Sequence, residues 1–144
     1  MNARLRTVVR DSGGAAAIEF GLIAPIFLTF LLGVFQVGVW MQAYNAMRNA
    51  VTQTARSVAV EYQTDNLLSD QQIEDTGLAV ATTSPYLLDE DRIEIIVSDP
   101  ASQPFPGARQ LTLTLNYQLP SFLDFAGIAG PSISYSRSMF VIDA

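Results

Sequence analysis

The chain has 144 residues, a one-domain length, with a formal net charge of −6 and 49% hydrophobic residues. It contains no cysteine, histidine or lysine, which excludes disulfide stapling and removes the commonest general bases and activated nucleophiles. No catalytic centre, metal site or cofactor is expected, and the acidic balance speaks against nucleic-acid binding because it repels phosphate backbones.

In chain order, Arg4, Arg6 and Arg10 come first, followed by Asp11 and the small-residue break Gly13-Gly14. Glu19 then leads into a run, residues 20–47, without a single Asp, Glu, Lys or Arg. An acidic side chain costs about 2.5–3.5 kcal/mol at a bilayer centre and less near its edge, so Glu19 should have a partner. A cut after Gly14 would create one. It would free the amine of Ala15, four residues before Glu19 and therefore on the same helical face.

Residues 20–40 number 21, about the 20 needed to cross a hydrocarbon core, and Trp40 and Tyr44 stand where an interfacial aromatic belt would lie. The run is too long for the core of an ordinary secretory signal, and Met41-Gln42-Ala43 is a poor cleavage site, so the segment reads as a retained anchor. With the arginines before it and the acids after it, the N-terminus should face the cytoplasm and the remainder the periplasm. Pro25 cannot donate to the Gly21 carbonyl, which predicts a bend or loosening there. Gln36 is an amide at mid-span, a weak pointer to helix association.

Past the span, Val51, Ala55, Val58 and Tyr62 keep helical spacing, so one helix is expected from Ile18 to near Tyr62, a rod of about 68 Å. Ser69 and Gln72 form a capping-box pattern that opens a short helix to about Thr82, with Pro85 beyond it. Strand patterns follow at 93–97, at 111–118, where Leu111, Leu113, Leu115 and Tyr117 alternate with polar residues, and at 133–142. Arg137 interrupts the inward set of the last strand, which suggests either an outward face or pairing with an acid. Asp89-Glu90-Asp91 matches no calcium loop and reads as a solvated acidic turn. The connection 120–131 carries Phe122, Leu123, Phe125 and Ile128 and is too apolar for a simple solvated loop; it either folds back or is a contact patch. The expected fold class is α+β: a long N-terminal helix (15–62, after a leader, 1–14), then a small head (63–144) with one short helix and about three antiparallel strands.

The run Gly14-Ala15-Ala16-Ala17-Ile18-Glu19-Phe20-Gly21-Leu22-Ile23-Ala24-Pro25 resembles the opening of TadE-like minor pseudopilins of tight-adherence (Tad) pilus systems. The resemblance implies a leader removed after Gly14 by a prepilin peptidase and a Glu19 that pairs with the Ala15 amine of its own or a neighbouring subunit. It further implies a kink at Gly21 and Pro25, and partnership with other pilins, pseudopilins and the assembly machinery in the inner membrane, in the service of surface attachment. The head, larger than a major pilin carries, points within that family to a minor subunit. The alternative is an unprocessed single-pass adaptor with a periplasmic head; a secreted hydrolase or binding protein with an atypical signal is more distant.

Overall fold

The computed structural model describes residues 12–64, 66–100, 107–122, 124, 127 and 129–142. Its elements are helix α1 (Ser12–Gln63), helix α2 (Asp70–Thr82), a 3-10 turn (Glu90–Arg92) and strands β1 (Ile93–Ser98), β2 (Ala108–Gln118) and β3 (Ser132–Ile142). The strands form one antiparallel sheet in the order β1-β2-β3, so the fold is α+β. The chain divides into two compact units, Met1–Gly38 and Val39–Ala144, and α1 contributes residues to both.

In the second unit the alternation of β2 becomes a buried inner face. Leu111, Leu113, Leu115 and Tyr117 are all buried, and β2 is the central strand, covered on both sides by neighbours. Residues paired across the sheet share its faces: Ile95 and Tyr135 flank Leu115, Val97 and Arg137 flank Leu113, and Met139 lies opposite Leu111. The outer face is mostly polar, with Thr112 bonded to Ser138 and Thr114 to Ser136, although Ile96 and Phe140 also stand exposed on it. One dry and one wet face is the usual arrangement of an antiparallel sheet.

The dry face is closed by helix. Val51, Ala55, Val58 and Tyr62 are buried as their spacing predicts, joined by Met47, Ala50 and Thr54. Thr54 is a polar group in this core, and its hydroxyl donates to the Ala50 carbonyl at 2.9 Å, which satisfies it within the helix. Arg109, at the start of β2, reaches the Tyr62 hydroxyl, while Trp40 donates to the carbonyl of Pro120 just past its end. Strand β2 therefore runs back along residues 40–62 of α1. Arg137 does not turn outward; it stays on the inner face opposite Leu113 and donates to the Thr52 hydroxyl at 3.3 Å.

Helix α2 begins with the expected capping box: the Gln72 backbone N–H donates to Ser69 Oγ at 3.3 Å and the Ser69 N–H to Gln72 Oε1 at 2.8 Å. It ends at Thr82, ahead of Pro85. The Glu74 carboxylate accepts the Val97 N–H at 3.2 Å, covering part of the free edge of β1 that would otherwise invite another strand. At Gly77 the elements come closest. A Cβ there would lie 3.0 Å from Ile95 Cδ1 and 3.5 Å from Thr54 Cγ2.

A polar tether complements this core. Arg109 Nη2 lies 2.8 Å from Asp99 and 3.0 Å from Asp70 at the head of α2, and the Tyr62 hydroxyl donates to the Leu68 carbonyl. The hydrogen bond with Asp99, ahead of that with Asp70, raises the guanidinium pKa further above the ordinary arginine value, against the opposing effect of its partial burial.

Two effects compete at Gly77. Alanine gains about 0.8–1 kcal/mol of helix propensity over glycine, against a tight contact with the flexible end of Ile95, whereas a leucine has no room and overpacking costs about 1–3 kcal/mol. Gly77→Ala should leave the urea midpoint of a chain comprising residues 39–144 nearly unchanged, and Gly77→Leu should lower it clearly at constant m-value.

Candidate membrane and assembly segment

In the first unit, α1 has no dry face of its own. Phe20 is 73% exposed, and Ile18, Leu22, Ile23, Leu28, Phe30, Leu32 and Phe35 are exposed with it; at 3.6 residues per turn they cover every side of the helix. A helix apolar all round belongs inside a membrane or a bundle of other helices. Its most apolar 18-residue window has a mean hydropathy of 2.2 and none of it is buried, so α1 is long and apolar enough to cross a membrane.

Helix α1 already includes Gly14, Ala15 and Glu19. Ala15 and Glu19, four residues apart, lie on one face, and Glu19 is exposed. A Cβ at Gly14 or at Gly21 would meet nothing within 4 Å, so nothing in the packing of the described residues asks for glycine at either place. Of the expected leader, 1–14, residues 1–11 with Arg4, Arg6, Arg10 and Asp11 lie outside the described residues.

The helix continues without a break through Pro25. The Thr29 hydroxyl donates to the Pro25 carbonyl at 2.8 Å, while the ring leaves the Gly21 carbonyl without its usual backbone donor. Glycine and proline thus meet at one turn of an otherwise regular apolar helix.

The acidic turn is engaged in local structure. Asp89 accepts the Asp91 N–H and the Arg92 Nε–H, each at 3.2 Å, and caps the 3-10 turn. Among the described residues no group of three or more His, Cys, Asp or Glu side chains could hold a metal ion. Arg92 also reaches across to Asp124 at 3.0 Å, and that hydrogen bond is the main cause raising the Arg92 pKa.

Sequence reasoning missed several long-range contacts. The Trp40 indole donates to the Pro120 carbonyl at 2.8 Å. Arg48 lies 5.8 Å from the ring centres of both Tyr44 and Tyr135, which meet edge to face at 6.4 Å. Arg109 forms the tether described above. The sequence marks Trp40 and the apolar connection 120–131 separately, and only the reversed run of β2 along α1 brings them together. Of that connection, Leu123, Phe125 and Ile128 lie outside the described residues, and Phe122 is exposed.

Residues 14–56 match the family model for TadE-like proteins. Over this stretch the chain is similar to TadE-like proteins. The matched stretch starts at Gly14, holds Glu19 and Pro25, and ends inside α1 at Arg56. No curated protein and no solved structure matches the chain, and the sheet lies beyond the family match.

Pro25→Ala in the TadE-like segment supplies the missing N–H to the Gly21 carbonyl. Amide hydrogen exchange in detergent or nanodiscs should slow over residues 22–29 of the variant and stay unchanged over β2.

Proposed function

We propose that this protein is a membrane-anchored minor pilin or pseudopilin of a Tad pilus, cut after Gly14 by a prepilin peptidase and working by subunit packing rather than by catalysis. The observation that carries the reading is the TadE-like match beginning at Gly14, on a helix whose residues 20–47 bear no charge. The N-terminus lies in the cytoplasm and residues 39–144 on the periplasmic side, in accord with the arginines that precede the span. Other pilins, pseudopilins and the pilus assembly machinery are its partners, and surface attachment is the process it serves.

The chemistry of the junction fits this role. Gly13 and Gly14 each cost about 1 kcal/mol in a helix relative to alanine, so the first turn of α1 opens readily to present the bond before Ala15 to a peptidase. The freed Ala15 ammonium then stands one turn from Glu19. Among packed helices with no water between them, carboxylate and ammonium of neighbouring subunits offset each other's desolvation, whereas either alone is costly. The Gly21 and Pro25 positions supply a local loosening of the helix that lets neighbouring subunits pack.

N-terminal sequencing or intact mass should show a mature chain starting at Ala15. It would have five arginines against thirteen acids, a side-chain charge of −8. Because no neighbour crowds Gly14, Gly14→Val should leave uncut precursor in the membrane with the rest of the fold intact. A chain from membranes that retains Met1, or that begins near Tyr44, would overturn the processing step.

Glu19→Gln separates a pilus subunit from an unprocessed adaptor. Loss of the carboxylate leaves an unpaired buried ammonium, a penalty of roughly 3–5 kcal/mol by analogy with broken buried ion pairs. The expected outcome is normal membrane level and normal cleavage with strongly reduced recovery in pilus complexes. Unchanged assembly and piliation would refute the pairing and favour the adaptor.

A further inference from the structure

The two edges of the sheet are built differently. Strand β1 is short, and the Glu74 carboxylate takes its Val97 N–H at 3.2 Å. That bond also fixes the phase of the ladder. In an antiparallel pair the N–H and C=O of one residue point to the same side and alternate along the strand. Val97 therefore turns away from β2, its opposite Leu113 bonds to Arg137 of β3, and the serines on either side of Arg137 face outward. The bond from the Leu119 N–H to the Pro131 carbonyl, further along the same two strands, has the same phase. Among the described residues nothing bonds to the backbone groups that Ser134, Ser136 and Ser138 turn outward. Strand β3 runs through eleven continuous pairs without a bulge and contains no proline, lysine or acid. Of the devices that blunt a sheet edge it has one, the inner-face Arg137.

Along this edge the charge reverses. Tyr135 lies beside Arg48, and Arg137 bonds to Thr52, one turn further along α1. Arg56 stands one turn beyond Thr52 on the same face of the helix. Strand and helix thus advance together, and Arg48, Arg56 and Arg137, all exposed, form a basic strip beside the open edge. None of the three has a carboxylate partner among the described residues, and neither residues 20–60 nor β3 contain an Asp or Glu. The unit is otherwise acidic, but its field is screened beyond about 8 Å, so the strip sets the charge that a partner meets at contact.

We infer that the β3 edge accepts an extended, acid-bearing segment of a partner protein as a fourth, antiparallel strand. The backbone of Ser134, Ser136 and Ser138 supplies the hydrogen bonds, and Arg137 faces a carboxylate. Because Arg137 bonds inward to β2, the partner residue opposite it belongs to a non-hydrogen-bonded pair, where side chains approach most closely. Opposite charges in such a pair stabilise and like charges destabilise. A second copy is disfavoured for that reason, since full antiparallel overlap of two β3 strands sets Arg137 against Arg137. Tyr135 and Met139 share the inner face with Arg137, so the fitting segment carries its acid between apolar residues at alternate positions. This surface lies wholly within residues 39–144 and is independent of the membrane reading.

The test uses the full-length protein in nanodiscs and a blocked synthetic peptide of alternating valine and threonine with glutamate in place of its central valine. The control peptide carries lysine there. The glutamate peptide should bind several-fold more tightly, slowing amide exchange at Ser134, Ser136 and Ser138 and leaving β2 unchanged. Arg137→Glu should reverse the preference between the two peptides. Ser136→Pro removes an outward N–H and none of the ladder to β2, a change that an edge strand tolerates, and should abolish binding of both peptides while exchange in β2 stays slow. Where that variant does not fold, the reversal by Arg137→Glu decides. Equal binding of the two peptides, or binding of neither, overturns the proposal. Slow exchange at the three serines of the free protein at every dilution shows an edge already covered within the chain and overturns it as well. Slow exchange that fades on dilution replaces the partner segment with a second copy.

Discussion

Everything in this chain is arranged around a helix that cannot stay in water. Thirteen large apolar side chains between residues 18 and 37 are exposed, and burying each is worth about 1.5–3 kcal/mol, roughly 20–40 kcal/mol together. That exceeds the 5–15 kcal/mol that typically holds a domain folded. Lipid or neighbouring helices must cover this surface. On the same scale the cost of Glu19, about 2.5–3.5 kcal/mol at most, is too small to prevent insertion. Insertion therefore tolerates Glu19 without requiring it, and the pairing with a neighbour's amine proposed above would give the carboxylate a separate reason to be there.

The same helix changes character at the boundary between the two units. Up to Gly38 it is apolar on all sides; beyond it, only the stripe that includes Met47, Val51, Val58 and Tyr62 is buried. Alanines at 43, 50 and 55 lie in that buried set and keep the helix surface low, so the side chains of β2 can pack between the larger residues. A three-stranded sheet with one wet face has no second layer apart from these helices, and small domains bury a modest fraction of their surface. The folding of residues 39–144 thus depends on α1 remaining helical through the region that leaves the membrane.

What the sequence made legible is local in origin. The capping box at Ser69 and Gln72, the period-two alternation of β2 and the spacing from Val51 to Tyr62 each depend on neighbours a few residues away, and each stands in the structure as read. Helix α1 starts earlier than the expected Ile18, at Ser12, because two glycines weaken a helix by only about 1 kcal/mol each and do not break it. The cation contacts were not legible. Arg109 joins Asp70, Asp99 and Tyr62 across three elements, and Arg137 reaches Thr52 from the inner face of a strand. These pairings follow from how the sheet lies on the helix, which no local pattern encodes. The readings of Gly14, Glu19 and Pro25 rest on spacing along one helix, and among the described residues no contact accounts for glycine at position 14.

The placement of charge joins the two units in one electrostatic scheme. Past the leader the chain has five arginines. Arg92 and Arg109 are committed to salt bridges that tie the loops to the sheet, Arg48 lies against two tyrosine rings, and Arg137 bonds to Thr52. Four of the five are thus engaged within the fold, while Arg56 is exposed, and the acids, which outnumber the arginines, dominate the field of the second unit. That field is screened within about 8 Å at physiological salt, but it still opposes close approach to an anionic surface or to a like-charged copy. In the pilus reading proposed above, close packing would therefore come from apolar helix surface and from the proposed pairing of Glu19 with an N-terminal amine. A fold that exposes its apolar surface on α1 and its negative charge beyond it favours association through the helix and keeps the remainder apart.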